Sequence, residues 1–419
     1  THSARRFNLH FQLTYIFQYS ARFKSPYSGP NSLSGDEERQ NSLTTTLYLG
    51  ARLWKGASVY VNPEIAGGSG LSGAQGMGGS SNGETYRVGI PTPTLYLGRA
   101  YFNQNFALSK EGEYTSDDAN IISEFVPKNR LSLMLGKFSL GDLFDNNNVS
   151  NSPRRQFMNW AFINTGSWDY AANVRGYTLA VAGKLVLDKT TFTAAVAELP
   201  EVANGDTLST DLNKSIALNA QVSQQYCINK RTGNIHLLGF YNKTHMGNYA
   251  EANTPLLPNP FPFTPDIVAD RKEGRTKVGF ALNADQQLTN DLSAFTRIGW
   301  SDGKNETWCF TEIDQTFALG ASLKGNKWNR PDDEIGLAAV ANGISKEHRN
   351  YLANGGLGFI LGDGKLNYAP EGILEFYYSY KALKQGLWLS ADYQLCLNPG
   401  YNQDRGPANI ASLRVHVEL

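Results

Sequence analysis

Residues 7–19 read FNLHFQLTYIFQY, and this stretch decides the fold class. Its odd positions are all Phe, Leu or Tyr, whereas its even positions are polar except for Ile16. Such alternation with a period of two is typical of a β-strand with one apolar face. Strands of soluble proteins usually have about five or six residues, whereas a tilted membrane strand needs about nine to eleven. The stretch therefore predicts a strand that crosses a membrane.

The end of the chain repeats this pattern. Residues 413–419 read LRVHVEL, in which Leu and Val alternate with Arg, His and Glu. If the two terminal strands pair, the sheet closes into a barrel and leaves no unpaired edge in lipid. The alternation recurs between them and predicts about sixteen strands, with eighteen as the alternative. The predicted strands lie near 7–19, 43–53, 57–65, 94–106, 130–138, 175–187, 190–199, 215–226, 234–244, 275–288, 291–302, 309–324, 334–343, 371–381, 386–398 and 408–419.

The connections between these strands sort by length. Outer-membrane barrels alternate short periplasmic turns with long extracellular loops. In this chain, too, the short connections fall at one end of the predicted barrel and the long connections at the other. One connection, 107–129, has 23 residues although it lies on the short side, and we expect a small helix in it. The sequence thus predicts one all-β domain over 1–419, a transmembrane antiparallel β-barrel in a bacterial outer membrane with some loops folded into the lumen. The long loops are predicted at 20–42, 66–93, 139–174, 245–274 and 344–370.

Composition excludes several other classes of protein. The 38 basic residues balance 38 acidic ones, which argues against a nucleic-acid surface. Cys227, Cys309 and Cys396 are an odd number without metal-ligand spacing, so they predict neither a disulfide framework nor a zinc site and their role stays open. Mean hydropathy is −0.38, but barrel strands place only every second side chain in lipid. We see no signal peptide, which favours a mature or trimmed chain.

The segment 139–174 is the candidate pore-constricting loop. A loop of this length is usually functional or disordered, and its aromatic residues argue against disorder. Aromatic faces beside Arg and Asp suit a sugar, because the sugar ring packs on the aromatic face and its hydroxyls hydrogen-bond to the charged groups. The alternative is that these residues wedge the loop against the barrel wall. The glycine-rich second outer loop, 66–93, has no P-loop spacing and is expected to be a flexible or compact loop at the barrel rim.

Charged residues also occur on the polar faces of the predicted strands, where they would line the lumen. Both signs are present, which suits a neutral polar solute better than a strongly ion-selective pore. We expect most of them to be solvated. The sequence shows no hydrolase, metalloprotease or P-loop signature, so no catalytic residue is predicted. The charged residues on the polar faces of the predicted strands are Arg52, Glu64, Arg99, Lys184, Arg297, Glu312, Asp314, Glu375 and Asp392.

Several short stretches spread over nearly the whole chain form a recognisable set. They include residues 25–33 (SPYSGPNSL), 49–54 (LGARLW), 60–64 (YVNPE), 136–138 (GKF), 168–171 (WDYA), 175–177 (RGY), 330–333 (RPDD), 342–345 (NGIS), 398–402 (NPGYN) and 404–407 (DRGP). In these stretches the chain resembles the carbohydrate-selective porin (OprB) family of Gram-negative outer membranes. The resemblance implies a sixteen-stranded barrel that glucose and related sugars cross by diffusion, narrowed by inward loops. The chain departs from the usual pattern at its end, where Leu419 stands in place of an aromatic residue.

The sequence and the resemblance together predict a porin for small sugars such as glucose, with no enzymatic activity, cofactor or metal. Expected partners are small neutral sugars, outer-membrane lipid and lipopolysaccharide, and a monomer and a homotrimer both stay open. The alternatives are a general or organic-acid-selective porin, a polysaccharide exporter, and an outer-membrane glycan-binding or hydrolytic barrel. The candidate pore-lining residues are Arg52, Glu64, Arg99, Arg154, Arg155, Trp160, Trp168, Asp169 and Arg175.

Overall fold

A computed structural model describes residues 5–85, 91–255 and 263–419 of the chain. In these residues, sixteen antiparallel strands form a closed barrel, and each strand pairs with its neighbours in the chain. The barrel strands are β1 (Phe7–Ser20), β2 (Glu38–Trp54), β3 (Ala57–Gly67), β4 (Thr94–Ala107), β7 (Arg130–Phe138), β8 (Thr178–Leu187), β9 (Thr190–Ala197), β10 (Ile216–Ile228), β11 (Arg231–Met246), β12 (Lys272–Gln287), β13 (Leu292–Ser301), β14 (Gln315–Gly325), β15 (Arg330–Gly343), β16 (Glu371–Leu383), β17 (Leu387–Leu397) and β18 (Ala408–Glu418).

The first and last strands close the barrel, as the sequence predicts. Leu13 of β1 lies opposite Val417 of β18, and Phe17 lies opposite Leu413. The alternation of residues places apolar side chains outside, where Leu9 is 66% exposed, and polar side chains inside, where Gln12 is 1% exposed. A sheet in lipid must close into a barrel, because only then does every backbone donor and acceptor find a partner on a neighbouring strand. The predicted count of sixteen and the predicted inside and outside faces are confirmed.

Two local predictions are wrong. The segment 107–129 holds no helix but a β-hairpin, in which β5 (Gly112–Tyr114) pairs with β6 (Phe125–Pro127). The predicted strand 309–324 begins only at Gln315, so Glu312 and Asp314 precede β14 and belong to the outer loop 302–314. Both errors have one cause. Backbone pairing with a neighbouring segment determines where a strand starts, and residue alternation alone does not reveal that pairing.

Long outer loops pack against residues of the inner barrel wall. They carry short helices, α1 (Trp160–Ile163), α2 (Tyr249–Ala252) and α3 (Lys346–Ala353). In the described part of the chain, no helix is long and apolar enough to cross a membrane. Buried aromatic residues of these loops, among them Phe144, Trp308 and Tyr401, join one apolar cluster inside the barrel. Apolar contacts therefore join these loops to one another and to the inner wall.

Candidate functional site

The loop 139–177, which we call the inner loop, connects β7 to β8 and lies inside the barrel. Arg297 of β13 is fully buried and holds it there. The guanidinium donates hydrogen bonds to the backbone carbonyls of Ser150 at 2.7 Å and Ile163 at 3.1 Å, and further ones to Phe162 and Asp145. A planar guanidinium with several N–H donors suits this role, because a loop inside a barrel has unpaired carbonyls.

A second anchor comes from β16, which lies three strands away from β13 in the barrel. The Glu375 carboxylate on β16 accepts hydrogen bonds from the backbone N–H groups of Met158 at 2.5 Å and Asn159 at 3.0 Å. Asp392 on β17 lies beside it and is 5% exposed. The prediction that most of the nine charged residues are solvated is therefore wrong, because six of them are at most 5% exposed: Glu64, Arg297, Glu312, Asp314, Glu375 and Asp392. Docked loops replace the water that these groups would otherwise contact.

The glycine-rich second outer loop also enters the barrel instead of staying at its rim. Its described residues extend to Thr85, and 86–90 of the predicted loop lie outside the described residues. The Gly83 N–H donates to the Met158 carbonyl at 2.8 Å. A Cβ atom at Gly83 would collide with Ile163 and Pro153 of the inner loop, so the close approach of the two loops requires glycine here.

A cavity of about 440 Å³ lies between the two loops and the wall formed by β2, β3 and β4. Six of the nine predicted pore-lining residues border it, from three different strands or loops. They are Glu64, Arg99, Arg154, Trp160, Trp168 and Arg175. The structure thus brings together residues that are up to 111 positions apart in the chain, from Glu64 to Arg175.

Arg99 of β4 is paired at the cavity wall. Its guanidinium forms two hydrogen bonds to the Asp142 carboxylate, at 2.7 and 2.6 Å. The same guanidinium lies 5.1 Å from the ring centre of Tyr177. Such a bidentate pair fixes the orientation of both groups, so Arg99 presents a fixed charge distribution to the cavity.

Arg154 of the inner loop has three partners. Its Nε lies 3.1 Å from both carboxylate oxygens of Glu84, and its Nη1 donates to the Tyr48 hydroxyl at 3.0 Å. A third group, Glu64, lies 3.7 Å away. Burial disfavours the charged guanidinium and by itself would lower the pKa of Arg154. Electrostatic attraction to Glu84, Tyr48 and Glu64 outweighs burial, so the pKa of Arg154 is raised. The residue is therefore a permanent cation at this wall.

Arg175 completes the basic side of the cavity. Its guanidinium lies 4.3 Å from the ring centre of Tyr96, and its Nε is 3.5 Å from the Asp206 carboxylate, whose side chain is 65% exposed. The Tyr96 hydroxyl in turn donates to Glu64, which also accepts from Tyr177 at 3.1 Å. Tyrosine hydroxyls thus connect the acidic and basic groups of the wall.

Aromatic rings form another part of the cavity lining. Tyr170 stacks on Phe310 with ring centres 4.5 Å apart, and Trp160 meets Phe310 edge to face at 5.4 Å. Trp168 also borders the cavity but is only 2% exposed, and its indole N–H donates to Asn219 at 3.0 Å. Trp168 therefore supports Tyr170 from behind, at a ring distance of 5.1 Å.

Three predicted pore-lining residues lie elsewhere. Asp169 is buried and accepts hydrogen bonds from the backbone N–H groups of Trp308 and Cys309. Burial raises the pKa of Asp169 to about 6, against the opposing charge of Lys277. Arg155 lies 3.5 Å from Glu418, at the periplasmic end of β18, and Arg52 lies near the periplasmic end of β2. These three are outside the lining of the cavity.

Sequence reasoning missed several groups that the structure places at the cavity. Phe310 belongs to the loop 302–314, of which the sequence predicts residues 309–314 to be part of a strand, and Glu84 belongs to a loop that the sequence places at the rim. Tyr48 occupies a polar-face position of β2, so strand parity could have identified it. Asp142 and Phe310 give no signal in the sequence, because only the docked loops bring them to the wall. In the described residues, no group of His, Cys, Asp and Glu side chains is arranged to hold a metal.

One family model matches the chain, and solved outer-membrane channels share its fold. The family model "Carbohydrate-selective porin, OprB family" matches residues 31–419. OprB of Pseudomonas putida in its high-pH structure superposes with a TM-score of 0.73 at 16% identity, covering 99% of this chain and 94% of that one. The channel DcaP of Acinetobacter baumannii superposes with a TM-score of 0.53 at 11% identity, covering 99% and 97%. A search of curated proteins finds no match to this chain.

Proposed function

Since this chain belongs to the carbohydrate-selective porin (OprB) family, we propose that it lets small neutral sugars such as glucose diffuse across the outer membrane through the cavity beside the inner loop. The protein is an outer-membrane porin, and its family and fold are those of a channel rather than an enzyme. The proposal concerns the solute, the residues that contact it and the part of the pore that is narrowest.

The charge balance of the cavity wall is the observation that carries this proposal. Arg99, Arg154 and Arg175 supply three positive charges. Glu64, Glu84 and Asp142 supply three negative charges. The two sums cancel within one cavity, and Arg99 and Arg154 each have a carboxylate partner within 3.1 Å. A balanced wall of this kind does not favour either ion sign, while it offers donors and acceptors to sugar hydroxyls.

The aromatic rings of the same cavity suit the apolar surface of a sugar. Tyr170, Phe310 and Trp160 offer aromatic faces and edges, against which the C–H face of a pyranose packs. The cavity volume of about 440 Å³ lies within the range of about 300–1,000 Å³ that is usual for sites of small molecules. We therefore assign the wall of paired charges to hydroxyl recognition and the ring side to apolar contact.

The inner loop supplies the narrowing in this proposal. It contributes Asp142, Arg154, Trp160 and Arg175 to the cavity, and its anchors to Arg297 and Glu375 keep it against the inner wall. Of the candidates at the periplasmic side, Arg155 would contact the sugar only on exit. Conduction requires binding that is weak enough for release, so the expected sugar affinity is millimolar or weaker.

Glucose-dependent block of the ion current through single channels in planar bilayers tests the proposal. We expect glucose to raise current noise, and Phe310→Ala to weaken this effect because it removes the ring between Tyr170 and Trp160. Lys184→Met is the matched control, since Lys184 faces the lumen from β8 but does not border the cavity. A wild-type current that glucose leaves unchanged would refute the proposal, and an equal loss of the glucose effect in both variants would refute the assignment of the site.

A further inference from the structure

The periplasmic connection between β4 and β7 is a hairpin that returns into the barrel. Its two arms are joined from base to tip by backbone hydrogen bonds. Leu108 donates to Asn129, Lys128 to Glu111 and Thr115 to Glu124. At the tip, Asp118 and Ile121 exchange both backbone hydrogen bonds, at 3.0 and 2.9 Å. The turn 118–121 is therefore a closed structural unit at the end of a paired stem.

Contacts with the barrel wall hold this tip in the lumen. The side-chain amide of Asn8 on β1 donates to the carbonyls of Asp118 at 2.8 Å and Ile121 at 3.2 Å, and to the Asp117 carboxylate at 3.0 Å. The backbone N–H of Ile122 donates to the Tyr60 hydroxyl of β3 at 3.3 Å. Strands β1 and β3, which flank β2, thus both hold the tip.

Asn120 lies at the end of the tip and reaches the level of the proposed sugar site. Its Oδ1 accepts a hydrogen bond from Asn62 on β3 at 2.9 Å, and Asn62 is two residues before Glu64 on the same inner face. Asn120 borders the upper cavity, which it shares with Glu64, Arg99 and Asp142. It also borders a lower cavity of about 460 Å³, which is lined by Tyr60 and Tyr101 from the barrel wall.

The geometry points to the hairpin tip as a second, periplasmic constriction of this porin, with Asn120 as a specificity-determining residue that contacts the sugar as it leaves the upper cavity. This inference rests on the proposed function and extends it to the exit of the site. The inner loop then narrows the pathway from the extracellular side, and the periplasmic hairpin narrows it from the other side.

The residue type at position 120 fits this role. The backbone of Asn120 has a φ of 59°, a conformation that Asn and Gly adopt more readily than other residues. Its Oδ1 is engaged by Asn62, and an amide nitrogen can donate two hydrogen bonds. A sugar hydroxyl is a suitable acceptor for such a donor. The tip therefore combines a fixed backbone with a neutral polar group at the boundary between the two cavities.

Liposome swelling with a series of mono-, di- and trisaccharides tests the inference with Asn120→Gly. Glycine keeps the positive φ and removes the side chain, so the tip should stay folded. We expect the ratio of disaccharide to monosaccharide permeation to rise severalfold relative to the wild type. Glu113→Ala, on the exposed stem of the same hairpin, is the matched control and should leave this ratio unchanged.

A second measurement does not depend on the glycine variant. In a Cys227→Ser background, which removes the exposed native thiol, Asn120→Cys should be modified by a thiol reagent added on the periplasmic side and lose ion current. Tyr114→Cys, which lies on the exposed stem, should react without loss of current. An unchanged sugar ratio or an unchanged current after modification at position 120 would overturn the inference. Failure of the wild-type protein to pass monosaccharides would instead refute the proposed function.

Discussion

Replacing Arg297 with Met should release the inner loop from the barrel wall while leaving the barrel itself closed. Arg297 lies on β13, and its guanidinium is the donor to four loop carbonyls. Methionine has a similar length but is apolar, so the variant removes the hydrogen-bond donors with little change in packing volume. The strand pairs of β13 with β12 and β14 do not depend on this side chain.

The expected magnitude follows from which carbonyls keep a second donor. The Phe162 carbonyl also accepts from the Ser150 hydroxyl, and the Asp145 carbonyl also accepts from Asn283 at 2.8 Å. The carbonyls of Ser150 and Ile163 lose the donor described above. A hydrogen bond from a charged donor contributes about 1.5–3 kcal/mol, so two such losses weaken loop docking by about 4 kcal/mol. This corresponds to about a thousandfold change in the docking equilibrium, at about 1.4 kcal/mol per tenfold.

Single-channel recording in planar bilayers measures this effect. We expect Arg297→Met to show a higher conductance with frequent fluctuations and to admit disaccharides in swelling assays. Lys184→Met removes a lumen cation without touching the loop anchors, so it controls for the loss of charge. If both variants conduct like the wild type, Arg297 does not hold the inner loop in the pore and the assignment of that loop as a constriction fails.

Three further predictions concern other groups. Burial disfavours protonation of His348, but hydrogen bonds and charges of Asp314 and Glu312 outweigh it and raise its pKa. The resulting stabilisation of the loop that carries α3 is fully present below the unfolded pKa of about 6.5 and is lost as pH rises through the raised folded value. Limited proteolysis between pH 5 and 9 should show this loss, and His348→Gln should abolish the pH dependence. Glu64→Gln leaves three cations against two carboxylates, so the reversal potential in a salt gradient should shift toward anion selectivity, whereas Arg154→Gln should shift it toward cations; no shift in either would contradict the balanced wall. Trp168→Ala removes a buried indole and should destabilise the barrel interior by about 3–5 kcal/mol, which thermal unfolding in detergent measures; unchanged stability would contradict its supporting role.

Strand alternation predicts the barrel, because lipid on one side and a polar lumen on the other impose a period of two on most of the strands. The pairing of β1 with β18 and the count of sixteen follow from it. The hairpin at 112–127 was missed for a physical reason. Its outer faces contact water and the lumen wall instead of lipid, so the stem carries no long apolar alternation. Its identity depends on backbone pairing that the sequence does not display.

The candidate site was predictable for residues on strands and only partly for residues on loops. Strand parity places Glu64 and Arg99 on the inner face, and Arg175 lies in a stretch that carries the family resemblance. Asp169 was misplaced because its carboxylate turns to the backbone of Trp308 and Cys309, a contact between two loops that no local pattern encodes. Arg155 follows Arg154 directly in the chain, yet the turn there directs the two guanidinium groups to different carboxylates, Glu84 and Glu418.

The most direct test of the central claim is liposome swelling with the wild-type protein, comparing glucose with sugar acids, amino acids and dicarboxylates of similar size. A cavity wall in which three arginines balance three carboxylates predicts that glucose enters faster than solutes of either charge. Equal permeation by charged and neutral solutes would contradict carbohydrate selectivity, and it would leave a general porin as the better description of this barrel.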